Sequence, residues 1–192
     1  MEDRPRVGVL ALQGAFREHR QAFERLGEAV REVRLPRDLT GLRALAMPGG
    51  ESTAMARLAA AYGLDVALKE FHSAGGALWG TCAGAILLAS EIRSAEGQTR
   101  LGLIDIGVER NAYGRQVDSF EADLEVDRLG TFHGVFIRSP RIVRIGPGVE
   151  VLAEYRGDPV IVRQGLVWAS TFHPELSGDD RLHAEFLRST LP

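Results

Sequence analysis

After a short charged start the chain carries an unbroken apolar run, Val7-Gly8-Val9-Leu10-Ala11-Leu12, and beyond Gly14 its period changes: Phe16, Arg20, Phe23 and Leu26 recur at helical spacing. A continuous apolar run of this length predicts a buried strand, and the three-to-four spacing predicts a helix after it. Leu26-Gly27 ends the helix, Ala29 to Leu35 reads as a second strand, and Pro36 closes it. Leu42 to Met47 is a third apolar run, followed by a Pro-Gly-Gly turn and an alanine-rich helical stretch from Ser52 to Ala61. Ala77-Leu78-Trp79 predicts a fourth strand, and Cys82 to Ala89 is small and apolar enough for a buried helix. Alternation of this kind implies right-handed crossovers and a mostly parallel sheet with helices on both faces, an α/β fold.

The texture changes from about Leu101. Leu103, Val108, Val117, Phe120, Leu124, Val126, Val135, Ile137, Val151, Val160, Val162 and Val167 fall in short β-like runs between Gly and Pro turns. Antiparallel strands that extend the sheet are expected there. Leu182, Phe186 and Leu187, at helical spacing within Gly178 to Leu191, predict a closing helix. There is no internal repeat, low-complexity tract or linker, so a single domain over residues 1–192 is expected.

Composition narrows the class. The 192 residues suffice for a substantial core. A formal net charge of -3 and a pI near 6.0 lack the basic excess that binds a phosphate backbone, so nucleic acid is not an expected partner. The longest apolar runs, such as that from Ala85 to Ala89, fall far short of the roughly 18 residues of a membrane span. Cys82 is the single cysteine, which rules out an intramolecular disulfide, and the first residues lack a signal-peptide layout; a reducing cytoplasm is the expected compartment. All but one of the 23 basic residues are arginine. Heat adaptation and genomic base composition both account for that bias, and neither bears on function.

The most informative pattern is Trp79-Gly80-Thr81-Cys82-Ala83-Gly84, a G-x-C-x-G between a predicted strand and a predicted helix. It has the form of a nucleophile elbow, where side chains at the flanking positions would clash. The turn exposes the nucleophile and puts it at a helix N-terminus, where unpaired N–H groups favour negative charge on sulfur. A cysteine without such surroundings is most often a small buried hydrophobe; here the elbow decides for chemistry.

Near the other end stands Thr171-Phe172-His173-Pro174-Glu175-Leu176. Pro174 biases His173 towards extended backbone, in which residues i and i+2 share a face, so His173 and Glu175 are expected side by side. A carboxylate that orients the imidazole, and an imidazole that takes the thiol proton, complete a Cys82, His173, Glu175 triad. The other histidines lack comparable surroundings: solvated or capping roles are expected for His19, His72, His133 and His183, and no spacing suggests a metal site.

Met47-Pro48-Gly49-Gly50-Glu51-Ser52 lies between the third strand and its helix. Paired glycines let backbone N–H groups turn towards a substrate, so Gly49 and Gly50, with the N–H of Ala83, are candidates for an oxyanion hole. The loop lacks the lysine and the glycine spacing of a phosphate-binding loop. A plain turn with Ser52 as the helix N-cap is compatible with the same residues.

Glycine loop, cysteine elbow and His-x-Glu in this order resemble the class I (triad) glutamine amidotransferases. The likeness extends over Leu10 to His19, Pro48 to Thr53, Gly80 to Gly84, Val108 to Asn111, Gly114 to Glu121, Gly134 to Arg138 and Phe172 to Leu176, where the chain is similar to the glutaminase-subunit family of pyridoxal 5'-phosphate synthases. The resemblance implies a three-layer, flavodoxin-like fold with an antiparallel extension to its mostly parallel sheet. It implies hydrolysis of L-glutamine to L-glutamate and ammonia, with Cys82 as nucleophile and His173 and Glu175 completing the triad. Gly50, Glu51, Ser52, Arg110, Ile137 and Arg138 would hold the glutamine, and no cofactor or metal is needed. It further implies a hetero-oligomeric, activating partner, a barrel-shaped synthase subunit that uses the ammonia. Either arginine suits a carboxylate, because a guanidinium grips it bidentately. Other destinations for the ammonia, such as imidazole glycerol phosphate synthase, and γ-glutamyl hydrolysis fit the triad but not the block from Arg110 to Glu121; a non-catalytic docking module fits the fold but not an intact triad.

Overall fold

The computed structural model describes residues 6–93, 98–110 and 119–190. In chain order the elements are β1 (Val7–Leu10), α1 (Phe16–Arg25), β2 (Val30–Val33), β3 (Ala44–Met47), α2 (Ser52–Ala61), α3 (Leu64–Ser73), β4 (Ala77–Thr81), α4 (Ala83–Leu88), β5 (Ala89–Arg93), β6 (Ile104–Glu109), β7 (Ser119–Val126), β8 (Gly130–Ile137), β9 (Arg141–Ile145), β10 (Glu150–Tyr155), β11 (Asp158–Gln164), β12 (Val167–Ser170) and α5 (Arg181–Thr190). Short 3-10 turns occupy Pro36–Leu39 and Pro174–Leu176. The four strands and three helices expected before residue 90 are all present. A further helix, α3, stands where no separate element was expected; Gly63, at a φ of 70°, turns the chain between it and α2.

Among the described residues the main sheet has the order β2-β1-β3-β4-β12-β11-β10-β7-β8. Strands β2, β1, β3, β4 and β12 run parallel, and the sheet continues antiparallel through β11, β10, β7 and β8. Two details differ from expectation. Val167 belongs to a strand that pairs in parallel with β4 rather than to the antiparallel extension. Strands β5, β6 and β9 form a separate small sheet in the order β5-β6-β9. There the Arg144 guanidinium donates to Asp105 at 2.7 Å and to Glu91 at 3.0 Å, linking strands that share no pattern along the chain.

Both faces of the parallel strands are covered, which is why they read as continuous apolar runs rather than alternating ones. Side chains still alternate in direction. Leu45, Met47, Leu78, Val167 and Ala169 pack towards Met55, Ala59, Leu64, Leu68 and Leu87 of α2, α3 and α4. Val7, Val9, Ala46, Trp79 and Trp168 pack towards Phe23 of α1 and Leu182, Phe186 and Leu187 of α5. The result is a helix-sheet-helix sandwich. No helix among the described residues is long and apolar enough to cross a membrane.

Parallel alignment puts the carboxyl ends of β1, β3, β4 and β12 at one edge, the usual place for ligands in such sheets. From that edge leave Gln13, the Gly49-Gly50 loop, Cys82 and His173.

Candidate active site

Strand β4 ends at Thr81, and the chain turns at Cys82 into α4 with φ 49° and ψ -104°. This positive φ is strained for a residue with a side chain and is kept only where the surroundings enforce it. They do so here. A Cβ on Gly84 would stand 2.0 Å from the Met47 carbonyl oxygen, and one on Gly80 would stand 2.4 Å from the Gly84 backbone, so both flanking positions are closed to any other residue. The Cys82 N–H donates to the Ser170 carbonyl at 2.8 Å, tying the elbow to β12. Cys82 is only 6% exposed, and its thiol lies 3.8 Å from the Ile137 carbonyl.

The next strand over, β12, leads through Thr171 and Phe172 to His173, whose N–H donates to the Val135 carbonyl of β8 at 2.8 Å. His173 Nδ1 lies 2.8 Å from Glu175 Oε1. The adjacency expected from sequence is present, but its geometric basis was different: Glu175 sits in the 3-10 turn Pro174–Leu176, so the carboxylate curls back under the ring instead of sharing an extended face with it. Burial by itself pushes the His173 imidazole down, yet its hydrogen bond to the Cys82 sulfur and the Glu175 carboxylate outweigh that and raise it to about 10. The Cys82 sulfur and the Glu175 carboxylate thus favour the protonated ring, which can serve as a proton donor next to the sulfur. Burial pushes the Glu175 carboxyl up, but His19 and His173 more than offset it, and the group stays below its ordinary value.

Two of the remaining histidines fit the expectation of capping or solvated roles. His72 Nδ1 lies 3.0 Å from the Gly76 carbonyl behind α3, and exposed His133 stands between Asp123 and Glu121. The other two overturn it: His19 and His183 are fully buried. His19 lies three residues after Phe16 and four before Phe23, and His183 follows Leu182 and precedes Phe186, so both fall on the inward stripes of their helices. That spacing was the available signal for their burial.

In the glycine loop, a Cβ on Gly49 would stand 2.2 Å from His173 Cε1, so only glycine lets the loop approach the imidazole this closely. Gln13 Nε2 donates to the Glu51 carbonyl at 2.8 Å and joins the first crossover to the loop. The N-cap of α2 is Glu51 and not Ser52: its carboxylate accepts from the Thr53 and Ala54 N–H groups at 2.9 and 2.7 Å. The Ser52 hydroxyl is left buried without a hydrogen-bond partner among the described residues.

A cavity of about 480 Å³ opens over the sulfur, lined by Gln13, Gly50, Glu51, Ser52, Cys82, Ala83, Ile86, Arg110, Ile137, Arg138 and His173. It gathers every candidate residue except Gly49 and Glu175, which flank His173. Ala83 is the first residue of α4, where the N–H has no partner within the helix. Arg110 donates to Gln98 at 2.7 Å and Thr53 at 3.2 Å, whereas the Arg138 guanidinium makes no hydrogen bond or ion pair among the described residues. Residues 111–118, part of the segment that carried the family resemblance, lie outside the described residues.

Residues 9–191 match the SNO glutamine amidotransferase family. The pyridoxal 5'-phosphate synthase subunit PdxT of a Thermus thermophilus strain is 60% identical over 94% of this chain and 95% of its own length. The subunit of the same name from Deinococcus radiodurans is 59% identical, with the same coverage of each. A crystal structure of a glutamine amidotransferase superposes with a TM-score of 0.94 at 57% identity, over 96% of this chain and 98% of that one.

Proposed function

Because this chain belongs to the SNO glutamine amidotransferase family, and so is the glutamine-hydrolysing, ammonia-supplying subunit of a pyridoxal 5'-phosphate synthase, we propose that Cys82, His173 and Glu175 carry out the hydrolysis. The observation that carries this assignment is the buried row of Cys82, His173 and Glu175, with Cys82 and His173 lining the cavity.

The Cys82 thiolate attacks the side-chain amide carbon of L-glutamine, and the oxygen that becomes negative faces the N–H of Ala83 and the backbone of Gly49 and Gly50. One such donor is worth about 2.7 to 4 kcal/mol in a preorganised site. The His173 imidazolium gives its proton to the nitrogen as the C–N bond breaks, leaving ammonia and a Cys82 thioester. The neutral ring then takes a proton from water, the hydroxide adds to the thioester, and glutamate leaves as the thiolate re-forms. The α-carboxylate of the substrate is held by the arginines: Arg138 has the fuller set of uncommitted donors, and Arg110, bonded to Gln98 and Thr53 and 3.5 Å from the Glu51 carboxylate, adds a second guanidinium. Ser52 Oγ supplies a further polar contact.

The acceptor of the ammonia is a barrel-shaped synthase subunit in a hetero-oligomer, and the chain works in the cytoplasm. Ammonia released into neutral water is mostly protonated and no longer nucleophilic, so hydrolysis is useful only when the acceptor is docked. The test is glutamate release from L-glutamine by the purified chain with its synthase subunit: Cys82→Ala is expected to abolish turnover while the thermal unfolding midpoint stays within a few degrees of wild type. Turnover retained by that variant would remove Cys82 from the mechanism.

A further inference from the structure

The proposed triad leaves one buried cluster of titratable groups unused. His19 of α1 and His183 of α5 meet beneath the site, both fully buried, with His19 Nδ1 2.9 Å from His183 Nε2. On its other side His19 Nε2 lies 3.0 Å from Thr81 Oγ1 and 3.3 Å from Glu175 Oε2, the carboxylate oxygen that His173 does not hold. That oxygen has no hydrogen-bond partner among the described residues, and His19 Nε2 stands within ion-pair range of it. An unpaired buried carboxylate oxygen is costly, by amounts that exceed an ordinary hydrogen bond.

We propose that His19 is a positioning residue: its Nε2, tethered by Thr81, stands within ion-pair range of the outer oxygen of Glu175, steadies the carboxylate against His173 by its N–H dipole, and is kept in that tautomer by His183. This inference rests on the reading of Cys82, His173 and Glu175 as the reacting groups.

Two tautomer assignments are open to the histidine pair, and the surroundings separate them. If His19 carried its hydrogen on Nδ1, the lone pair of Nε2 would accept from the Thr81 hydroxyl yet stand 3.3 Å from a carboxylate oxygen, and His183 would have to place its own hydrogen on Nδ1, an atom with no partner. An orphaned buried N–H is rarer and costlier than a bare acceptor. With the hydrogen on His19 Nε2, His183 Nε2–H donates to His19 Nδ1, and the unpartnered His183 Nδ1 is merely a lone pair. Both rings stay neutral, because burial pushes each of them down. The charged and titratable groups that face the pair are Glu175, His173 and Glu18 at His19, and Arg25 at His183. A neutral His19 therefore acts on Glu175 through its N–H dipole. The hydrogen bond at Nε2 goes to Thr81 Oγ1 at 3.0 Å, and Glu175 Oε2 stands beside it at 3.3 Å without a hydrogen bond of its own. Trp79, edge-on to His19 at 5.7 Å and to His183 at 4.9 Å, holds both rings in place.

The test is the pH profile of kcat and kcat/KM for glutamate release by the complete complex carrying wild type, His19→Leu, His19→Gln or Thr81→Val, with Cys82→Ala as the blank. His19→Leu is expected to lower kcat by about ten- to a hundredfold, the scale of a hydrogen bond to a charged group, with KM little changed. Its acid limb should move to higher pH, because a Glu175 without its donor is protonated sooner. His19→Gln, whose amide nitrogen can stand where Nε2 stood, should recover most of kcat and return the limb towards wild type. Thr81→Val, which keeps the shape of the strand and frees the Nε2–H to turn to Glu175, should move the limb the other way. Equal profiles for His19→Leu, His19→Gln and wild type, or a Thr81→Val limb shifted upwards, would overturn the proposal even where the unfolding temperature drops. Absence of Cys82-dependent release from wild type would instead overturn the triad reading, and this inference with it.

Discussion

At the scale of the residue, what distinguishes this site is how little room surrounds the imidazole. A Cβ added to Gly49 would sit 2.2 Å from His173 Cε1 and 3.2 Å from Cys82 Cβ, so Gly49→Ala must push the ring, the loop or both. Displacing a reacting group by about 1 Å can cost a hundredfold in rate. Gly49→Ala is thus expected to lose about two orders of magnitude in kcat while the chain stays folded; circular dichroism with glutamate release checks both, and a fully active variant would show that the ring is not held where the geometry puts it. The identity of the helix cap belongs to this scale too. Both Glu51 and Ser52 lie where a cap could form, and the choice falls to Glu51 because its longer side chain reaches two N–H groups at once.

At the scale of the element, α1 and α5 each bring one histidine into an apolar layer. Burial holds His183 well below its ordinary value of 6.5 and lowers His19 as well. In the unfolded chain both rings take up protons near 6.5, and in the folded chain they resist, so the unfolded state binds more protons as pH falls and stability falls with it. The stability these neutral rings share is complete above 6.5 and declines below that value. Thermal unfolding of wild type is expected to shift to lower temperature between about pH 6.5 and 5, and His183→Phe, which fits among Trp79, Phe23 and Phe186, should flatten that slope. An unchanged slope in His183→Phe would assign the acid sensitivity to other groups.

At the scale of the whole molecule, four crossovers deliver their loops to one edge of the sheet, and the β7-β8 ribbon brings Ile137 and Arg138 over the sulfur from the far side. The proposed oxyanion donors lie in two different connections, the elbow after β4 and the glycine loop after β3, so on that reading the site depends on how these two loops settle together. On the proposed reading, docking of the synthase subunit completes the hole. The isolated chain is accordingly expected to release glutamate slowly, and addition of the synthase subunit to raise kcat; full turnover without the partner would refute this gating.

Much of the architecture is a local property, and to that extent the sequence alone determined it. Apolar runs, helical spacing and Gly-Pro turns mark the elements up to α4, α3 excepted, because each reflects contacts a few residues apart along the chain. The elbow and the His-x-Glu motif were legible for the same reason: Gly80, Cys82 and Gly84 share one turn, and His173 and Glu175 another. Only the tertiary structure decided which strands lie side by side. Val167 joins β4 in parallel, β5, β6 and β9 separate into their own sheet, and His19 and His183 meet under Glu175, because pairing and burial depend on partners up to 164 residues away along the chain that no local pattern encodes. The meeting of Cys82 with His173 is of this second kind: each motif announces its chemistry, but adjacency of β4 and β12 in the folded sheet is what puts the sulfur beside the ring.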